Sequence, residues 1–167
     1  MPGIIATNDD RKILRKILIP VDGTPESQSS LVWYVNNMKR KGDLVIFLHV
    51  VIPVLPSALS GLSKESESMP AGSAYYVPEK NMHAAQTVCQ HLIHEAHRYA
   101  VTSEACIQVD TKPGPAILKI IREQNIDNVI MFKRNLGFFK RAINGSVSSY
   151  VMNNSNVAVS IVSSMHN

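Results

Sequence analysis

Charge is scarce in this chain of 167 residues: Asp, Glu, Lys and Arg make up 18% of it, and no five like charges follow one another. A formal net charge of +4, spread so thinly, speaks against nucleic acid as the main partner. Cysteine is scarcer still. Cys89 and Cys106 are too few for the disulfide framework of a secreted scaffold, and each sits in an apolar pattern, so reduced thiols in a cytoplasmic protein are expected. No apolar run approaches the ~18 residues of a membrane span. The opening stretch, MPGIIATNDDRK, lacks the basic region and apolar core of a targeting peptide. Catalytic groupings are missing too: there is no Gly-x-Ser-x-Gly elbow, no Walker A loop and no evident Cys/His pair. The expectation is a soluble binding protein with no membrane partner.

What the chain does have is a core. Hydrophobic residues reach 45%, and a single domain of this length buries about two thirds of its unfolded surface. Short β-branched runs alternate with helical patterns: KILIPV then 25–40, DLVIFLHVV then 79–101, ACIQV then 114–125, NVIMF then 145–153, and finally VAVSIV. Such alternation predicts an α/β fold with one parallel sheet. The runs Ile17 to Val21, Leu44 to Val51 and Val129 to Phe132 are apolar on both faces, as strands covered by helices on both sides must be. Right-handed crossovers then give a doubly wound sheet of five strands, with several strand orders open. Residues 1–14 read as a mobile arm and 15–165 as the domain. Within it, 53–77, rich in Ser, Pro and Gly, reads as a long flexible loop, either a lid or a bare insertion.

The segment 128–151, NVIMFKRNLGFFKRAINGSVSSYV, joins a buried-type strand through a basic loop to a helix opening at Gly145-Ser146. A helix N-terminus favours anions, and glycine lets the backbone approach them. Amides of Ser146 and Val147, with charge from Lys133 or Arg134, would cradle phosphate. Equally, Gly145 turns the chain and Ser146 caps a helix. Phe138 and Phe139 beside Lys140 and Arg141 form at most a weak stacking platform; a packed ring under a solvated basic loop fits better. Asp22, after the first strand, either accepts hydrogen bonds from a ligand or makes an Asx turn around Gly23. His83, His91, His94 and His97 spiral off a single helix face, so a solvated surface is expected there and not a metal site. His49 reads as a hydrogen-bonded core histidine.

Several of these stretches resemble the universal stress protein family. Gly145-Ser146-Val147-Ser148 after Phe139-Lys140-Arg141-Ala142-Ile143 is similar to its C-terminal signature. Lys16 to Thr24 resembles its first strand and aspartate-bearing turn, Asp43 to Val51 its second strand, and Gly114 to Met131 its third helix and fourth strand. The resemblance implies strand order 3-2-1-4-5, with ligand bound at the switch point between strands 1 and 4. It further implies an adenine nucleotide, ATP or AMP, possibly with Mg, held without efficient turnover. Asp22 would take the ribose or adenine, Pro20, Val50, Val51 and Met131 the base region, and Gly145, Ser146 and Val147 the phosphates. It also implies a homodimer through Val157, Ala158, Val159, Ser160, Ile161 and Val162. One departure stands out. The family's Gly-x-x-Gly, nine residues, Gly-Ser pattern places Phe132 and Asn135 on its first two glycine positions. Phe132 either crowds the ribose or rotates aside and stacks on the base. The rival readings are a dimeric scaffold acting through protein partners and a weak ATP hydrolase.

Overall fold

The computed structural model describes residues 12–54, 75–132 and 146–163. In chain order these form β1 (Arg15–Val21), α1 (Pro25–Asn37), β2 (Asp43–Val51), α2 (Glu79–Arg98), β3 (Thr102–Val109), α3 (Pro113–Glu123), β4 (Asn128–Phe132), α4 (Ser146–Asn154) and β5 (Ala158–Val162). All strands run parallel in the order β3-β2-β1-β4-β5. This is the doubly wound architecture expected from the alternating pattern, with the strand order that the resemblance implies.

Side-chain alternation divides the core. Ile17, Ile19, Val45 and Phe47 point to one face, where they meet Leu31 and Tyr34 of α1 and Cys89, Leu92 and Ala96 of α2. Leu18, Leu44, Ile46 and Leu48 point to the other, against Ile117, Ile120 and Ile121 of α3 and Val151 of α4. Because both faces are covered, the strand sequences read as continuous apolar runs and not as alternating ones. Burial pushes the Cys89 thiol up to about 11 and raises that of Cys106 as well. Both cysteines are free and buried.

Several boundaries differ from the expected ones, those of β3 and α1 among them. β3 begins at Thr102 because polar Ser103 and Glu104 extend the ladder opposite Val45 and Ile46. α1 ends at Asn37, where the amides of Met38 and Lys39 both return to the Tyr34 carbonyl at 2.8 and 2.9 Å. The chain then turns through Gly42, whose φ of +87 suits glycine.

At the N-terminal ends of β1 and β2 lies a buried ionic cluster. Arg15 grips Asp43 with both Nε (2.9 Å) and Nη2 (2.7 Å). The Tyr34 hydroxyl and the Arg40 amide donate to the same carboxylate at 2.7 and 2.8 Å. Burial alone would raise the carboxyl pKa, but these donors outweigh it and hold Asp43 below the usual range. Tyr34 is raised, first by burial and then by its bond to Asp43.

α3 and α4 meet at Gly114, where an added Cβ would come within 2.6 Å of Tyr150 Cδ1. Gly114→Ala is therefore expected to cost about 1–2 kcal/mol by overpacking, despite the better helix propensity of alanine. In a Tyr150→Ala background the same change should be neutral or stabilising, and urea denaturation of the wild type and the three variants checks this.

The expected arm lies almost wholly outside the described residues, as do 55–74 of the expected loop. The ends of that loop are tied together, not loose. Val54 and Tyr76 form an antiparallel bridge, with N to O distances of 2.9 and 3.1 Å.

Candidate functional site

β1 pairs with β2 along its whole length, to Val21↔His49, but with β4 only at Ile17↔Asn128 and Leu18↔Val129. Pro20 has no N–H to give a ladder, which is consistent with pairing that continues on one side and stops on the other. Beyond Leu18 the ends of β1 and β4 border a cleft of about 370 Å³, within the range of small-molecule sites. Open α/β sheets bind ligands in this position, at the carboxyl ends of strands where the winding reverses.

The structure brings Pro20, Asp22, Val50, Met131, Phe132, Ser146 and Val147 to this one cleft. Lys133, Arg134, Asn135 and Gly145 lie outside the described residues, as do Phe138, Phe139, Lys140 and Arg141. Val51 is buried and does not border the cleft. Sequence reasoning missed Ser27, Ile52, Pro113, Ile117 and Ser148, which also line it. Pro113 and Ile117 are one turn apart on α3, a spacing that marks a shared face once the helix is placed.

The turn after β1 is tightly built. Asp22 Oδ1 accepts the Thr24 amide at 3.0 Å and the Thr24 hydroxyl at 2.6 Å. The Asx turn is thus present, around Gly23 at φ +80. Thr24 occupies the N-cap position of α1 but makes no side-chain cap bond; its hydroxyl lies against Asp22. Ser27 closes the first helical turn instead, donating through Oγ to the Thr24 carbonyl at 2.8 Å. The carboxylate and the hydroxyls at the cleft are suited to a ligand rich in hydroxyl groups.

Met131 belongs to the α3 and α4 face, together with Val50 and Val147, which pack against the same cluster. Phe132, half-buried, packs against the α1 and α2 cluster and also borders the cleft. His49, expected to be hydrogen-bonded in the core, is half-buried, and its buried Nδ1 has no hydrogen-bond partner among the described residues. α2 turns His83, His91, His94 and His97 to solvent, and no cluster of metal-ligating side chains occurs among the described residues. No helix among them is long and apolar enough to cross a membrane.

The sequence profile of the Universal stress protein family matches residues 14–163. The chain belongs to the universal stress protein family. Solved members of the family share this architecture. Universal stress protein UspA from Lactobacillus plantarum superposes with a TM-score of 0.64 at 20% identity, over 90% of this chain and 98% of that one. An Arabidopsis thaliana family protein with AMP bound gives 0.63 at 14% identity, over 91% and 93%. The Archaeoglobus fulgidus universal stress protein in complex with dAMP gives 0.62 at 16%, over 89% and 98%. Among curated proteins none is a significant sequence match.

Proposed function

We propose that this universal stress protein binds an adenine nucleotide in the β1/β4 cleft and acts as a sensor without efficient turnover. The observation that carries this reading is the meeting of Pro20, Asp22, Val50, Met131, Ser146 and Val147 around a cavity of about 370 Å³ at the switch point of the sheet. The AMP and dAMP complexes of similarly folded relatives support it. Asp22 accepts from ribose hydroxyls or the adenine amine. Pro20, Val50 and Met131 flank the base. Phosphate rests on the amides of Ser146 and Val147, with Gly145, Lys133 and Arg134 completing the cradle. Asparagine at 135, where the family pattern has glycine, is compatible with the reading because it tolerates left-handed φ. A Mg ion arriving with the nucleotide would sit on phosphate and water oxygens, with Asp22 the carboxylate in reach. Mass spectrometry and the A260/A280 ratio of the denatured, purified protein test this: adenine nucleotide should be released, and a protein that neither carries nor binds one would favour the scaffold reading.

A specific observation favours a homodimer through β5. β3 and β5 each pair on one side only, but β3 carries Glu104 whereas AVSIV in β5 has no charge or proline to blunt it. Strand addition between two copies would cover Val157 to Val162. A dimer mass is expected by light scattering at tens of micromolar, and Val159→Pro should return it to monomer. A monomeric wild type contradicts this.

A further inference from the structure

Charges that lie apart in the sequence are gathered at one end of the sheet. The amide of Leu14, just before β1, donates to the carbonyl of Gly42, just before β2, at 2.8 Å. This brings Lys12, Ile13 and Leu14 beside the turn that carries Lys39, Arg40 and Lys41. The four cations are exposed. So are Ile13, at 46%, and Leu14, at 66%. Leu14 lies across the turn, where a Cβ added to Gly42 would come within 2.9 Å of its Cγ and Cδ1. Lys39 Nζ also reaches the Tyr99 carbonyl at the end of α2, and Tyr99 is 40% exposed.

Basic residues at such an end commonly complement helix C-termini. Lys39 does so through Tyr99, and Lys16 through the Gln124 carbonyl at 3.0 Å. Lys12, Arg40 and Lys41 do not: their side chains make no ion pair or hydrogen bond among the described residues. The carboxylates nearby are engaged. Asp43 is buried against Arg15 and Tyr34, Asp127 accepts the Lys16 amide at 2.7 Å, and Glu95 pairs with Arg98. Glu104 stands further along β3, opposite Ile46. The end surface therefore carries uncompensated positive charge, with aliphatic side chains protruding from it.

We propose that this end of the sheet docks peripherally on an anionic lipid surface, with Ile13 and Leu14 entering the headgroup layer and Lys12, Arg40 and Lys41 set against lipid phosphates. Exposed aliphatic side chains flanked by lysine and arginine suit that boundary, where the apolar part leaves water and the cations meet anionic headgroups. Nucleic acid would answer the charge but leave Leu14 in water. A protein partner would have to supply a matching pocket for each protruding side chain, whereas a bilayer does not. The expectation of no membrane partner rested on the missing span, and peripheral docking needs none. β1 sets this end about 20 Å from the cleft, at ~3.3 Å per residue. A docked protein keeps Asp22 and the cleft open to solvent, whether or not a nucleotide binds there.

Flotation of the full chain with lipid vesicles tests this. The protein should rise with phosphatidylcholine vesicles containing about one third phosphatidylserine, stay behind with phosphatidylcholine alone, and detach as salt approaches about 0.5 M. Arg40→Gln and Lys41→Gln should each weaken binding about fivefold, whereas Lys119→Gln on α3 should change it by about twofold at most. Leu14→Ser should weaken it about three- to tenfold, and Ile13→Ser replaces that variant if it folds poorly. No flotation with anionic vesicles overturns the proposal, as does an equal loss in Lys119→Gln. Flotation that needs the cations but neither aliphatic side chain overturns their entry into the headgroup layer. Retention on heparin without flotation assigns the surface to a soluble polyanion and overturns the lipid reading.

Discussion

Replacing Asp43 with alanine is expected to destabilise the fold by about 3–5 kcal/mol, the range for breaking a buried charge pair by removing one partner. The carboxylate joins β1, α1 and the turn before β2, accepting from Arg15, Tyr34 and the Arg40 amide. Its loss leaves a buried hydroxyl, a backbone amide and a largely buried guanidinium without their common acceptor. Tyr34→Phe, which removes one of these donors, should cost less, about 1.5–3 kcal/mol, as for a hydrogen bond to a charged group. The same cluster sets an acid limit. The folded pKa of Asp43 lies below its ordinary value near 3.8, so its contribution is complete above about pH 4 and is lost as pH falls through the lowered value. Urea titrations between pH 7 and pH 2 should show wild type and Asp43→Ala converging at the acid end. Parallel curves would mean that the carboxylate contributes little.

Restoring glycine at the two family positions should strengthen nucleotide binding. Wild type is expected to bind ATP in the micromolar to millimolar range, roughly −8 to −4 kcal/mol, because Phe132 borders the cleft where family members that hold ATP have no side chain. Phe132→Gly with Asn135→Gly should gain about tenfold or more, since relief of ~1–3 kcal/mol of conflict is worth that much. The gain has a cost. Phe132 also packs against the α1 and α2 core, and two glycines raise the entropy of the unfolded chain, so affinity must be compared where both proteins are folded. Gly145→Val in the same background should reverse the gain by setting a branched Cβ where the backbone approaches phosphate. Calorimetry showing equal affinity in wild type and double variant would remove Phe132 from the account.

The sheet was legible because burial on both faces leaves a plain trace: KILIPV, DLVIFLHVV and NVIMF admit few other readings. β3 was shortened at its start because Thr102, Ser103 and Glu104 do not look like strand residues until Ser103 is seen buried opposite Val45. Strand order came from the resemblance and not from periodicity, since periodicity reports faces and not neighbours. At the cleft, Met131 came from the resemblance, whereas Asp22 could be singled out from its position after the first strand. Ser27, Ile52 and Ile117 could not, because their contribution depends on how α1, β2 and α3 converge in space. The Asx turn at Asp22 was one of two readings open from the sequence, and the structure shows it, with Thr24 donating its hydroxyl to Asp22 Oδ1 at 2.6 Å. At His49 a partner was expected for a ring whose buried Nδ1 has none among the described residues.

Occupation of the cleft between the ends of β1 and β4 by adenine nucleotide can be read directly by amide chemical-shift mapping with AMP. Saturable shifts should concentrate at 21–24, 50–52, 131–132 and 146–148, with the solvent-facing side of α2 and the Arg15–Asp43 end of the sheet unmoved. No shifts at millimolar AMP, or shifts centred away from those segments, would contradict it.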